Sequence, residues 1–452
     1  MTLSVAIIGA GPAGFYTAEA LLDRSDDVRI DIIERLPTPF GLIRAGVAPD
    51  HQSTKQVSRR FEETALRDRV HFYGNVDVGE TVTLDELRRM YDAVVLAVGA
   101  GVDRHLGIPG EQLQGVYGAA LFVGWYNGHP DFRDLNPRLR TDTAVVIGNG
   151  NVALDVARVL VKSAAEMASS DLPDAVGAAI RDSGIRDVHI IGRRGPAEAK
   201  FTLAELREIA DLAECSALVD DRDLPERVDI ADDKERRLRE KNIAIFRGFR
   251  ATVSPDKPKR LHFRYHLAPL AIEGREAVDA VRFERTTIED GRLVGTGEYE
   301  RIACGLVVAA VGYRSVPLNG IPFDLQRGLF PNDDGRIEAG LYAVGWAKRG
   351  PVGVIGSNRP DGIRCAEQIT ADCTATLPRP GRAALEARLR QAGVRPVSFE
   401  DWRAIDAAEQ ARATRPAPRR KFTSLGEMLA LLADGSGAVA RNPSPNRELR
   451  AP

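Results

Sequence analysis

The chain has 452 residues, with 62 Lys+Arg against 64 Asp+Glu and a formal net charge of -2. That balance argues against a general nucleic-acid binder or a membrane-surface protein. A hydrophobic fraction of 44% with 28% charged residues fits a globular protein with a large core, divided by its size into about two or three domains.

The segment Met1–Gly11 enters an apolar strand pattern without a basic start or a cleavage signal. No apolar run reaches the ~18 residues that a membrane span requires. Cys215, Cys304, Cys365 and Cys373 form no C-x-x-C pair and are too scattered for a zinc site or a disulfide framework. These features predict a cytoplasmic protein with reduced thiols, no metal, and neither a membrane nor a nucleic-acid partner. The 42 glycines exceed the usual ~7% and direct attention to tight, nucleotide-cradling turns.

In chain order, Leu3–Ile8 (LSVAII) is a short apolar strand pattern, Pro12–Leu22 has helical spacing, and Val28–Ile33 (VRIDII) is a second strand pattern. Strand, helix and strand at this length predict a right-handed βαβ unit of a doubly wound fold. The plan repeats with Thr143–Ile147 (TAVVI), the helical Val152–Lys162, and Val188–Ile191 (VHII). Between them, Ser163–Arg186 is polar and reads as an irregular insertion. Val94–Gly99 (VVLAVG) and Val307–Gly312 (VVAAVG) echo each other and bracket the second unit. The chain is therefore expected to leave a first domain near one echo and to return near the other. The expected boundaries are 1–101, 102–312 and 313–435, the last ending in helices, with 436–452 disordered.

Gly9, Gly11 and Gly14 fit G-x-G-x-x-G at a strand-to-helix junction. There the first glycine permits the turn, the second lets a pyrophosphate approach, and the third allows close packing. The following helix N-terminus favours phosphate. Glu34 ends the next strand, where a carboxylate would hold an adenosine ribose. Gly148-Asn149-Gly150-Asn151-Val152-Ala153 is a second fingerprint, but its second strand runs into Arg193 and Arg194 instead of an acid. Two guanidinium groups there would clamp the 2′-phosphate of NADP; otherwise they form a solvated basic turn. One site with a ribose-binding acid and one with a phosphate clamp suggest bound FAD beside exchanging NADP(H). The glycine-rich stretch Tyr342–Gly362 could return to complete the flavin pocket.

The motifs GAGPAGFY, PFGLIRAGVAPDH, VVIGNGNVALDVAR, GRRGP and VGWAKRGPVGVIG together resemble the adrenodoxin-reductase-type ferredoxin–NADP reductases, from Val5 to about Leu432. The resemblance implies an α/β fold of two Rossmann-like doubly wound domains, the NADP domain inserted into a discontinuous FAD domain. It implies FAD contacts at Ala13, Glu34, Leu42 and Val78, with Trp346 and Gly353, Val354 and Ile355 at the flavin ring and its pyrimidine edge. Arg104, Asn149, Gly150, Asn151, Val152, Arg193, Arg194 and Glu205 match the NADP-binding set. His51, Asp155 and Glu208 match polar positions where flavin and nicotinamide meet. They are expected to orient the nicotinamide or protonate reduced flavin, or else to be a loop histidine, a domain-joining aspartate and a helix-face glutamate. Trp346 stands where the wider superfamily places the aspartate of Y-A-x-G-D.

The implied activity is hydride transfer from NADPH to FAD, followed by single-electron delivery to an iron–sulfur protein. The family docks acidic ferredoxins on a basic face of the NADP domain. Lys234–Lys241 (KERRLREK), with Arg247 and Arg250, could supply it; a solvated helix face with internal ion pairs is the competing reading. A reductive subunit like the small subunit of glutamate synthase, a general diaphorase, and a non-enzymatic dinucleotide sensor are the alternatives for function.

Overall fold

The computed structural model describes residues 2–373 and 379–434. The expected disordered segment 436–452 lies outside them. Among the described residues, two six-stranded sheets organise the chain. In the first, the order is Arg336–Glu338, Leu341–Ala343, Ala93–Leu96, Leu3–Ile8, Val28–Ile33 and Val70–Tyr73. All neighbours are parallel except the first pair, which is antiparallel. The second sheet is parallel throughout: Val116–Gly118, Leu306–Ala309, Thr143–Ile147, Asp187–Ile191, Lys259–Arg264 and Cys215–Val219.

The sequence explains this arrangement. Ala93–Leu96 and Leu306–Ala309 are buried at every position, as strands covered on both faces require. Each echo strand lies directly beside its own fingerprint strand, pairing Val5 with Ala93 in one sheet and Ala144 with Leu306 in the other. Strand order reverses there, which opens a crevice at the carboxyl ends of the strands where doubly wound proteins bind ligands. The two units are thus doubly wound α/β domains, the second inserted in the first. Where the chain crosses, Val102–Asp103 pairs antiparallel with Tyr313–Arg314, so exit and return run side by side.

Three local expectations change. The segment Ser163–Arg186 is not irregular throughout, because Asp174–Arg181 forms a helix that buries Val176 and Ile180. The echo strands end at Leu96 and Ala309, before their glycines. An antiparallel three-stranded sheet, Leu267–Gly274, Val278–Glu289 and Arg292–Ala303, was not read from the sequence. Ile272, Val278, Val281 and Phe283 from it pack with Val145, Ile147, Ile191 and Val307 of the second sheet. After the return crossing, helix Asn358–Asp372 lies against helix Pro12–Arg24. Helices Gly381–Ala392, Phe399–Ala411 and Leu425–Asp434 follow.

Candidate active site

The two fingerprint turns have the same anatomy. Gly9 has φ +108°, and a β-carbon there would collide with the carbonyl oxygen of Ala97, at the end of the echo strand. Gly148 meets the carbonyl oxygen of Ala310 in the same way. At Gly11 and Gly150 a β-carbon would have nothing within 4 Å, so both turns face open space just ahead of a helix N-terminus. The first turn is the tighter: a side chain at Gly14 would strike the Gly9 carbonyl, whereas Ala153 occupies the matching place in the second.

Glu34 sits beside the first turn. Its Oε2 accepts the Ala10 N–H at 3.0 Å and its Oε1 the Leu36 N–H at 3.1 Å. Burial pushes this carboxyl up, and the two N–H groups work against that shift. A crevice opens next to it, lined by Glu34, Thr38, Gly41 and Arg44 on one side and by Asn127–Pro130 on the other. Leu42 follows Gly41 and is 41% exposed, and a β-carbon at Gly41 would lie 3.1 Å from Gly11 Cα. Ala13 is buried against Gly345, so the segment carrying Trp346 does return to the first turn. Val78 packs against the apolar cluster containing Ile8, Ile33 and Leu96. Trp346 lies 6.0 Å, centroid to centroid, from Tyr313 on the return crossing. Around Gly353, Arg349 Nε donates to the Val352 carbonyl at 3.2 Å, and the Val354 N–H donates to Ser357 Oγ at 3.0 Å. Val352 and Val354, exposed by 65% and 62%, form an apolar loop with little protein to cover it, while Ile355 packs partly on the core of the first domain. An open glycine turn, a ribose-accepting carboxylate and an apolar loop are what FAD requires, and these residues fit it.

At the second turn, Asn151 Oδ1 accepts the Thr202 N–H at 2.9 Å, and the buried Asn149 Oδ1 has no partner among the described residues. Val152 packs on the core of the second unit. The loop carrying Arg193 and Arg194 is pinned by its carbonyls, which accept from Thr286 Oγ1 at 2.7 Å and from the His266 N–H at 3.2 Å. Both side chains are exposed, and among the described residues neither guanidinium has a partner. Arg104 differs. Its guanidinium donates to the carbonyls of Tyr313, Gln326 and Arg327, which fastens the crossing strands.

The units meet at a compact ionisable cluster. His51 precedes the short helix Gln52–Lys55, Asp155 lies on helix Asn151–Val161, and Glu205 and Glu208 share one face of helix Leu203–Ala210. His51 Nε2 lies 2.9 Å from Glu208 Oε2 and 3.5 Å from Glu205 Oε2, and its Nδ1 lies 3.8 Å from Asp155 Oδ1. Burial pulls the imidazole down, but the Glu208 bond and the Asp155 and Glu205 charges raise it overall. The His51 bond in turn lowers Glu208, so each partner favours the charged form of the other. Burial, and then Asp155, push Glu205 up to about 7. The three ligand-type atoms lie within 4.8 Å of one another, a spacing a cation could use. However, the Arg158 guanidinium, 3.5 Å from the same Glu208 oxygen, competes for that place. The cluster is suited to sharing a proton.

Residues 3–210 match the family described as pyridine nucleotide-disulphide oxidoreductase. The chain is 41% identical over 469 residues to the mitochondrial NADPH:adrenodoxin oxidoreductase of Arabidopsis thaliana, covering 96% of this chain and 96% of that protein. It is 42% identical over 450 residues to the NADPH-ferredoxin reductase FprA of Mycobacterium tuberculosis, covering 94% and 98%. The solved structure of that FprA in complex with NADPH superposes with a TM-score of 0.89 at 41% identity, over 95% of this chain and 99% of the other. The chain belongs to the adrenodoxin- and ferredoxin-reductase family.

Sequence reading missed part of this reductase's central cluster. Arg158 has no exposed side-chain surface; it binds Asp50 through Nη1 and Asp155 Oδ1 through Nη2 at 2.6 Å. Lys162 Nζ donates to Asp50 Oδ2 at 2.7 Å. A signal existed: Arg158 is the one cation in the otherwise apolar run Val156–Val161, and helical spacing turns it inward with its neighbours.

Proposed function

We propose that the chain oxidises NADPH by hydride transfer to FAD and then delivers electrons singly to a ferredoxin-type iron–sulfur protein. One observation carries the reading: two fingerprint turns, one with a carboxylate and one with a free arginine pair, lie in domains that meet at a shared ionisable cluster. FAD would be held by the Gly9–Gly14 turn, Glu34, Leu42 and the loop around Gly353, and NADPH by the Gly148–Ala153 turn, Arg193 and Arg194. Bound FAD supplies a two-electron acceptor for hydride and a one-electron donor for the cluster.

The remaining work falls to the chain's own residues. Glu34 fixes the adenosine end by presenting acceptor oxygens, while Arg193 and Arg194 select the 2′-phosphate. His51, whose charged form the Glu208 contact favours, would set the polarity of the face that the nicotinamide approaches. Glu205, titrating at about 7, can take up or release a proton there at neutral pH.

Docking of an acidic ferredoxin belongs to the same reading. Support comes from helix Asp233–Gly248, which carries the basic stretch at the surface. Within it, Arg236 is engaged by Asp233 at 2.6 Å and Glu240 at 3.8 Å, and Arg239 by Glu235 at 2.5 Å. Among the described residues Lys234, Arg237 and Lys241 have no such partner and are left to meet a docking protein. A cytoplasmic location is supported by four free cysteines, three of them buried, although the plant and animal relatives are named as mitochondrial. Among the described residues no helix is long and apolar enough to cross a membrane.

The test is direct. Purified protein should be yellow, should bleach anaerobically with NADPH and only slowly with NADH, and should reduce cytochrome c faster when a ferredoxin is added. Bleaching with no dependence on any ferredoxin would favour a general diaphorase or a subunit like that of glutamate synthase. No bleaching would leave a dinucleotide-binding protein.

A further inference from the structure

Arg158 lies at the centre of the junction. A guanidinium does not shed its proton in a protein, so a wholly buried one must be matched by anions. Those anions come from both domains. Asp50, bound through Nη1, belongs to the first unit and directly precedes His51. Asp155, at 2.6 Å from Nη2, and Glu208, at 3.5 Å from Nη1, belong to the second. The match is tight but incomplete, since Arg158 Nε and Asp50 Oδ1 are buried without a partner. Arg158 and Lys162 together face three carboxylates, Asp50, Asp155 and Glu208. Counted without Glu205, these groups carry one more negative than positive charge, which a proton on His51 offsets.

We propose that Arg158 is a positioning residue. It ties the loop carrying His51 to the helix faces carrying Asp155 and Glu208, and so decides which group of the cluster holds the proton during NADPH oxidation. The proposal rests on reading the chain as an NADPH-oxidising flavoenzyme. The groups facing His51 come from every element around it. Asp50 is its neighbour; Asp155, Arg158 and Lys162 come from one helix and its cap; Glu205 and Glu208 come from another. The Tyr126 and Tyr313 hydroxyls lie nearby and stay protonated, because burial raises both. Removing the Arg158 charge leaves Asp50, Asp155 and Glu208, with Glu205 beside them, opposed by Lys162 alone, so His51 must hold its proton more tightly. Neutralising Asp50 has the opposite sign.

The experiment uses the FAD-loaded full chain as Arg158→Met, Arg158→Lys and Asp50→Asn. Two quantities are measured: the NMR titration of the His51 imidazole, assigned by its loss in His51→Gln, and the pH dependence of kcat for dye reduction by NADPH. Arg158→Met should raise the His51 midpoint by about one unit or more. It should also lower kcat by about tenfold at saturating NADPH, with FAD content retained. Arg158→Lys should restore the midpoint but only part of kcat, since an ammonium cannot reproduce the fork. Asp50→Asn should lower the midpoint, and it decides the matter should Arg158→Met fail to fold. Midpoints that stay put, or that move the same way in Arg158→Met and Asp50→Asn, would overturn the proposal whatever happens to Tm. If the parent chain is not bleached by NADPH, the functional reading fails by itself, while the His51 titration still judges Arg158.

Discussion

Gly9 and Gly11 stand two residues apart and face opposite surroundings. Behind Gly9 is the Ala97 carbonyl; in front of Gly11 there is nothing within 4 Å. Gly11→Val should therefore leave the folded chain near its parent Tm but without FAD, because the valine fills the space a pyrophosphate needs. Absorbance at the flavin band against a thermal melt checks this, and stoichiometric FAD in the folded variant would count against the assignment. The arginine pair carries the second prediction at this scale. Arg193 and Arg194 are exposed, on a loop fixed by its backbone, with no competing carboxylate bound to either. A charged hydrogen bond is worth about 1.5–3 kcal/mol, so each alanine variant should lose about one to two powers of ten in kcat/KM for NADPH. NADH has no 2′-phosphate and should be nearly unaffected, and the double variant should show little preference. Parallel losses for both cofactors would make the arginines structural.

Elements add what single residues cannot. On helix Asp233–Gly248 the basic stretch divides into Arg236 and Arg239, held by neighbouring carboxylates, and Lys234, Arg237 and Lys241, which among the described residues are not. Arg237→Glu should slow ferredoxin reduction several-fold while leaving dye reduction by NADPH intact. The difference should shrink as salt rises, since screening shortens the reach of exposed charge. Equal loss with dye and ferredoxin would point to damage within the domain. Helix Phe399–Ala411 presents a different case. Its Glu409 is fully buried, pairs with Arg44 of the first domain, and accepts the Phe422 N–H at 2.8 Å. Burial alone would raise this carboxyl, but Arg44 and the Phe422 N–H hold it below the usual value, while Arg44 is raised in return. Glu409→Gln should cost about 3–5 kcal/mol at neutral pH, because it strands a buried guanidinium. A carboxylate depressed in the folded state stabilises the protein fully above its unfolded pKa of about 4.3. That contribution is lost as pH falls through the lower folded value. Urea melts should show the parent losing stability across that acid window more steeply than Glu409→Gln, and identical slopes would refute the linkage.

At the scale of the whole molecule, the buried clusters divide where the chain crosses. One pair draws its buried apolar residues from Ala100 to Tyr313, the other from Leu3 to Ala97 and from Ile321 onward. The junction between them includes ionic ties, built from Arg158 with Asp50 and from Asp171, which binds Lys55 at 2.7 Å and Lys421 at 3.2 Å, beside the contact of Trp346 with Tyr313. A core that closes within 100–314 should survive excision. That segment expressed alone should melt cooperatively and bind NADPH in calorimetry, yet remain colourless with FAD. An unfolded segment would show that the ionic junction contributes to folding as well as to orientation.

Much of the fold and both fingerprint turns are determined locally, which is why sequence alone reaches them. Glycine spacing, strand periodicity and the residue ending the second strand all lie within about 30 residues, the span of one βαβ unit. The echo of VVLAVG in VVAAVG likewise marks the discontinuity, because fully buried strands need continuous apolar runs. Other features depend on which surfaces meet. The three-stranded sheet 267–303 escaped notice because its strands mix charged and apolar residues on faces that only packing on the second domain distinguishes. Helix Asp174–Arg181 is short and bounded by polar segments, and its apolar face counts only once something covers it. Arg104, matched to cofactor binding by resemblance, turns out to hold three carbonyls at the crossing. The decisive case is the cluster of Asp50, His51, Asp155, Arg158, Glu205 and Glu208, whose members are up to 158 positions apart in the chain. The side chains are written in the sequence, but their proton affinities are set by mutual distance and by exclusion of water, and both come into existence only when the two domains dock.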